Sequence, residues 1–238
     1  GNKRMNDSET VNGVSRDSRG GFQILPFYLV CDTSTSMRGE QIKVVNSELP
    51  LIHQTIALDP IVNDKCRISI ITFDTVAKIA LPLQRLADVK QMPSLTAGGR
   101  TNYGVLFREL PSIIRNDLQE LRNSGFATLR PIVFFISDGG ATDSWIQVFD
   151  DFIDRTKNPQ APVMISFGVG TAKESAIIRV GKDRAMMANK TESVPAALRS
   201  VLKSLTSSIV GSSRSSEAGI VLPESDQNIR IVGSSDRR

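Results

Sequence analysis

The sequence predicts an α/β fold: a Rossmann-like open, mostly parallel sheet with one antiparallel edge strand and helices on both faces. Three observations carry this. Residues 24–31, 67–73, 131–136 and 162–169 are nearly continuous apolar runs, the mark of strands buried on both faces under helices. Stretches of helical period separate them. A further strand, residues 76–83, begins too soon after Phe73 for a crossover, so it must turn back antiparallel.

The elements follow in order. Ile42, Val45, Leu49, Ile52 and Ile56 step by 3, 4, 3 and 4 along one helical face. Pro50 lies within that helix and should kink or split it. Leu106, Leu110, Ile113, Ile114, Leu118 and Leu121 make a second face. Trp145, Phe149 and Phe152, with Ile146 and Ile153, make a third, read as core. A short helix near 173–180 and a short strand at 185–188 come next. Val194, Leu198, Val201, Leu205 and Ile209 define the last long helix, with Ser193 as N-cap and Pro195 in the first turn.

These elements form one domain over residues 22–210. Residues 1–21 are polar and glycine-bearing and are expected to be a disordered arm. Residues 211–238 repeat Ser-Ser pairs and are expected to be a flexible Ser-rich tail. Two apolar patches interrupt the tail, residues 220–222 and 229–232. They either form a hairpin or dock on a sheet edge, or they are occasional apolar residues in a linker.

Composition narrows the function. With 40% hydrophobic and 23% charged residues among 238, the chain is not disordered throughout. It has no run of about 18 apolar residues, so no membrane span is expected. The opening Gly1-Asn2-Lys3-Arg4-Met5 is polar, unlike a signal peptide, and a cytoplasmic setting is expected. Cys31 ends one strand and Cys66 starts its neighbour at the opposite sheet edge, which predicts two free thiols. Net charge is +4, which favours an acidic partner. The basic residues are scattered and only 5% of residues are aromatic, so specific nucleic-acid binding is not expected. The single histidine, His53, argues against His-centred metal sites and is read as structural.

Ligands of open α/β sheets bind at the carboxyl ends of strands. Asp32-Thr33-Ser34-Thr35-Ser36 follows the first strand, and Ser137-Asp138-Gly139-Gly140 follows the fourth strand, residues 131–136. Gly98-Gly99-Arg100-Thr101-Asn102 precedes the second long helix. All three offer short oxygen ligands, hard donors suited to Mg²⁺ or Mn²⁺. In an extended turn Asp32, Ser34 and Ser36 project to one side and converge. The paired glycines let backbone approach an ion closely.

Together these segments resemble the metal-ion-dependent adhesion site (MIDAS) of von Willebrand factor A domains, over roughly residues 23–209. The match is Asp-x-Ser-x-Ser as Asp32, Ser34 and Ser36, then Thr101, then Asp138. Residues 27–32 and 133–139 are similar to the bacterial, tellurium-resistance TerY-like branch. The resemblance implies that the serines and threonine bind Mg²⁺ (or Mn²⁺) directly, while the aspartates often act through water. It implies a non-enzymatic module that binds a partner protein's Asp or Glu in bacterial stress response or signalling. Relatives often work beside a kinase, phosphatase or ATPase. Arg100 would stand at the rim of such a site, and Asp143 reads as a helix cap, a solvated charge or a group behind the ligands.

Two other readings stay open. One is a Mg²⁺-dependent phosphohydrolase with Asp32 as nucleophile, although Ser34 occupies the position of its second carboxylate. The other is a domain that keeps these loops but has lost the ion. No glycine-rich nucleotide loop follows a strand.

Overall fold

The computed structural model describes residues 10–11, 14–15, 23–215 and 219–233. Within the predicted arm, β1 (Thr10–Val11) and β2 (Val14–Ser15) pair antiparallel. The rest of residues 1–21 lies outside the described residues.

The main sheet begins with β3 (Gln23–Asp32), followed by α1 (Glu40–Ala57) and α2 (Pro60–Lys65). Strands β4 (Cys66–Phe73) and β5 (Ala77–Gln84) form the hairpin, and α3 (Tyr103–Asn123) leads to β6 (Ala127–Thr128) and β7 (Ile132–Ser137). Then come α4 (Ile146–Ile153), β8 (Val163–Gly168), α5 (Glu174–Val180) and β9 (Arg184–Ala188). Finally α6 (Val194–Arg214) precedes β10 (Ile229–Val232).

The strand order is β10-β9-β8-β7-β3-β4-β5, with the two-residue β6 also on β3. β3 pairs in parallel with both β4 and β7, which puts its carboxyl end at the middle of the sheet. β8 and β9 extend the parallel set. The predicted antiparallel edge is β5 on β4. β10 makes a second antiparallel edge, on β9.

Alternation along β3 explains the layers. Phe27, Leu29 and Cys31 face the core that α1 and α6 cover. Tyr28 and Val30 face the core beneath α3, α4 and α5. A strand buried on both faces cannot alternate apolar with polar, so it reads as one continuous run. Cys31 stands opposite Thr72 and Cys66 opposite Leu25, so the thiols are about 20 Å apart along the strands. Both are free and buried.

Several elements differ from expectation. α1 runs unbroken through Pro50, which sits on its exposed side. α2 was not foreseen, although Asp59 accepts from the Val62 N–H and Pro60 opens the helix, both ordinary start signals. Trp145 is buried but precedes α4 as its N-cap, and Ile146 is exposed.

The tail requires a correction. The helix continues past residue 210 to Arg214, and part of the tail is fixed to the domain. The Val221 N–H donates to Ser212 Oγ at 2.9 Å, and Ser208 Oγ donates to the Val221 carbonyl. Ile229 is fully buried against β9. Docking wins because an apolar strand on an open edge gains both ladder hydrogen bonds and burial. Residues 216–218 and 234–238 lie outside the described residues.

Candidate metal centre

The three loops meet above the carboxyl end of β3. Backbone hydrogen bonds lock them: Gly98 N–H donates to the Thr33 carbonyl (2.7 Å), and Thr35 N–H donates to the Gly99 carbonyl (3.1 Å). Gly99 has φ +80°, a left-handed conformation that favours glycine. Thr142 N–H (2.8 Å) and Thr142 Oγ1 (3.1 Å) both donate to the Thr101 carbonyl, which joins the second and third loops.

All five predicted residues come together. Asp32 is fully buried: its Oδ1 accepts from Ser34 N–H (2.8 Å) and its Oδ2 from Ser137 Oγ (2.7 Å). Ser34 Oγ lies 3.1 Å from Ser36 Oγ, and Ser36 Oγ donates to Asp138 Oδ1 at 2.6 Å. A Cβ on Gly139 would stand 3.5 Å from Thr101 Oγ1 and 3.7 Å from Ser36 Oγ. Those two hydroxyls therefore face one small space that a bare glycine leaves open. Ser34, Thr101 and Asp138 are buried, whereas Ser36 is exposed. The cluster thus opens to solvent on one side.

The electrostatics fit a cation. Burial pushes both the Asp32 and Asp138 carboxyls above the usual range. Hydrogen bonds from Ser34 and Ser137 oppose this at Asp32, and the Ser36 hydroxyl opposes it at Asp138, where the Asp32 charge adds to the rise. Among the described residues neither carboxylate has an ion-pair partner. Buried carboxylates are ordinarily paired or bound to metal. The donors are two carboxylates and three hydroxyls, a hard all-oxygen set. Among the described residues there is no candidate metal cluster of three or more His, Cys, Asp or Glu side chains.

The other singled-out residues have structural places. Asp143 caps α3: its Oδ1 accepts from Gly104 N–H (3.0 Å) and its Oδ2 from Val105 N–H (3.1 Å). His53 Nε2 lies 2.8 Å from the Leu86 carbonyl. Arg100 is exposed at the rim. Sequence reasoning missed Ser137, which fixes Asp32, and Tyr103, whose hydroxyl donates to the Gly139 carbonyl at 3.0 Å. A small polar residue ending a fully buried strand was the available signal for Ser137.

No protein-family model matches the sequence, and no curated protein sequence matches it. Solved structures do match in fold. A von Willebrand factor type A protein from Catenulispora acidiphila has a TM-score of 0.55 at 12% identity, covering 83% of this chain and 44% of that one. Proximal thread matrix protein 1 from the mussel byssus, with a zinc-occupied MIDAS motif, has a TM-score of 0.55 at 15% identity, covering 79% and 48%. A mutant of the PilB minor pilin from Streptococcus sanguinis has a TM-score of 0.54 at 11% identity, covering 81% and 63%. This chain spans less than half the length of the first two. The fold is that of von Willebrand factor A domains.

Proposed function

We propose that this chain is a divalent-cation-dependent protein-binding module whose site takes an acidic residue of a partner. The observation that carries this is the pair of buried carboxylates, Asp32 and Asp138, joined through Ser34 and Ser36 and opening to solvent at Ser36. Ser34, Ser36 and Thr101 would hold Mg²⁺ or Mn²⁺ through hydroxyl oxygens, with Asp32 and Asp138 balancing its charge. When bound, the ion supplies an electrophilic position that a partner's carboxylate can complete.

The chain's own residues do the rest. Ser137 and the Ser34 N–H hold Asp32 in place. Asp138 accepts the Ser36 hydroxyl proton, which leaves the oxygen lone pairs of Ser36 for a cation. The exposed Arg100 adds a positive rim that favours an acidic partner.

Binding suits this site better than hydrolysis. Both Asp32 oxygens already accept hydrogen bonds and the residue is fully buried, a poor setting for a nucleophile that must reach a phosphorus atom. The cytoplasmic setting, the TerY-like branch and a role beside a kinase, phosphatase or ATPase rest on the sequence resemblance. No helix among the described residues is long and apolar enough to cross a membrane.

The test is a metal titration followed by thermal unfolding, paired with a pull-down in Mg²⁺ or EDTA. Mg²⁺ at about 100 times its Kd should add about 2.7 kcal/mol. Asp138→Ala should abolish that gain and the Mg²⁺-dependent capture. Equal capture in EDTA would refute the reading. So would phosphoester turnover that Asp32→Asn removes.

A further inference from the structure

A groove lies away from the metal centre, between α3, α4 and the loop that follows α4. Its volume is about 660 Å³, within the range of functional clefts. Phe107, Pro111, Val148 and Phe152 contribute an apolar floor. Arg108, Arg115 and Arg122 line one edge.

The arginines are placed with a period. They recur every seven residues on α3, so they form one stripe with steps of about 10.5 Å. The acidic residues of α3, Glu109, Asp117 and Glu120, lie about 100–180° around the helix from Arg108. Asp117 and Glu120 line a different cleft. The groove side of α3 is therefore cationic and the opposite side acidic.

The charges are also available. Arg108 and Arg115 are exposed and have no ion-pair or hydrogen-bond partner among the described residues. Arg122 is held within the groove, by Gln119 at 3.5 Å and by the Gln160 amide oxygen at 3.0 and 3.3 Å, so Arg108 and Arg115 are the free charges of the stripe. The groove's one acidic wall residue, Asp151, is taken by Lys157 at 2.5 Å. It does not neutralise the stripe.

We infer that this groove is a second docking surface, independent of the metal centre, for an acidic amphipathic helix of a partner protein. A helix laid along α3 presents carboxylates at i, i+7 and i+14 with the same spacing as the arginines. About 15 residues span the stripe. Apolar side chains on that helix meet Pro111 and Val148, the half-buried part of the floor, which rests on the enclosed Phe107 and Phe152. A single-stranded nucleic acid fits less well, because Phe107 and Phe152 are buried and offer no open stacking face.

The test uses the full chain and a synthetic 15-residue helical peptide with Glu at positions 1, 8 and 15 and Leu on the adjoining face. A peptide of the same composition in scrambled order and a single-stranded oligonucleotide serve as comparisons. Fluorescence anisotropy should show binding in EDTA as in Mg²⁺, at least tenfold weaker for the scrambled peptide. Arg115→Glu should weaken it tenfold or more, and a peptide with Lys at position 8 should recover affinity for that variant. Arg108→Glu should act the same way through an end position. Circular dichroism should show both exposed variants folded. No binding up to about 1 mM peptide, equal binding of the scrambled peptide, or indifference to both variants would overturn the inference. Tighter, Arg115-dependent binding of the oligonucleotide would overturn the choice of occupant.

Discussion

Gly104→Ala should damage the joint that holds the metal loops. Gly104 is the second residue of α3, where the helix crosses the loop that follows β7. A Cβ there would lie 2.4 Å from the Ser144 carbonyl oxygen and 2.7 Å from Asp143 Oδ2. Carbon and oxygen rarely approach closer than about 3.3 Å, so backbone must shift by about 1 Å. Overpacking of this kind costs about 1–3 kcal/mol. The shift also breaks the bonds from Gly104 and Val105 N–H to Asp143, worth about 1 kcal/mol as a cap. Together these give about 2–4 kcal/mol, or a Tm lower by about 5–15 °C for a domain of this size. Urea unfolding and calorimetry would measure it. Asp143→Ala should lose only the cap, about 1 kcal/mol. Gly140→Ala should be tolerated, because its Cβ meets only the flexible Lys173 side chain, at 3.3 Å. A Gly104→Ala protein within about 0.5 kcal/mol of the parent would refute the close-approach reasoning.

Other outcomes follow from the same coordinates. In EDTA, Asp138→Asn should gain stability relative to the parent as pH rises from about 4 to 7. Burial raises the Asp138 carboxyl in the folded state, so its contribution is full below the unfolded value and lost as pH rises through the folded one. Parallel pH profiles for the two proteins would count against this. Ile229→Ala should cost about 2–4 kcal/mol in urea unfolding, because Ile229 is fully buried, whereas Val221→Ala should cost much less. Equal losses would contradict the docked strand. Cys31 and Cys66 should resist thiol reagents in the native protein and react only on unfolding, since both are buried and burial pushes the Cys66 thiol up to about 12. Fast native labelling would show a looser core.

The central layers were legible because burial on both faces leaves a simple trace. Residues 24–31 and 131–136 read as strands since every position of β3 and β7 within them is enclosed. The five site residues were legible because strand ends carry the loops, and short oxygen side chains in all three loops leave few alternatives. What escaped was decided by contacts across the chain. Ser137 is one more serine until Asp32 is beside it. Asp143 signals a cap, but it caps α3, some 40 residues earlier, and not the helix it precedes. The strand at Ile229–Val232 depends on β9 having an open edge, which no local pattern of four residues records. Pro50 was expected to kink or split α1, yet it lies on the solvent side and the helix continues unsplit.

Anomalous diffraction from crystals grown with Mn²⁺ tests the metal centre most directly. The expected result is one strong peak in contact with the hydroxyl oxygens of Ser34, Ser36 and Thr101, near Asp32 and Asp138, and absent from Asp138→Ala crystals. A map with no peak between these loops, and with Ser36 Oγ bonded to Ser34 Oγ and Asp138 Oδ1 at the distances given above, would contradict it.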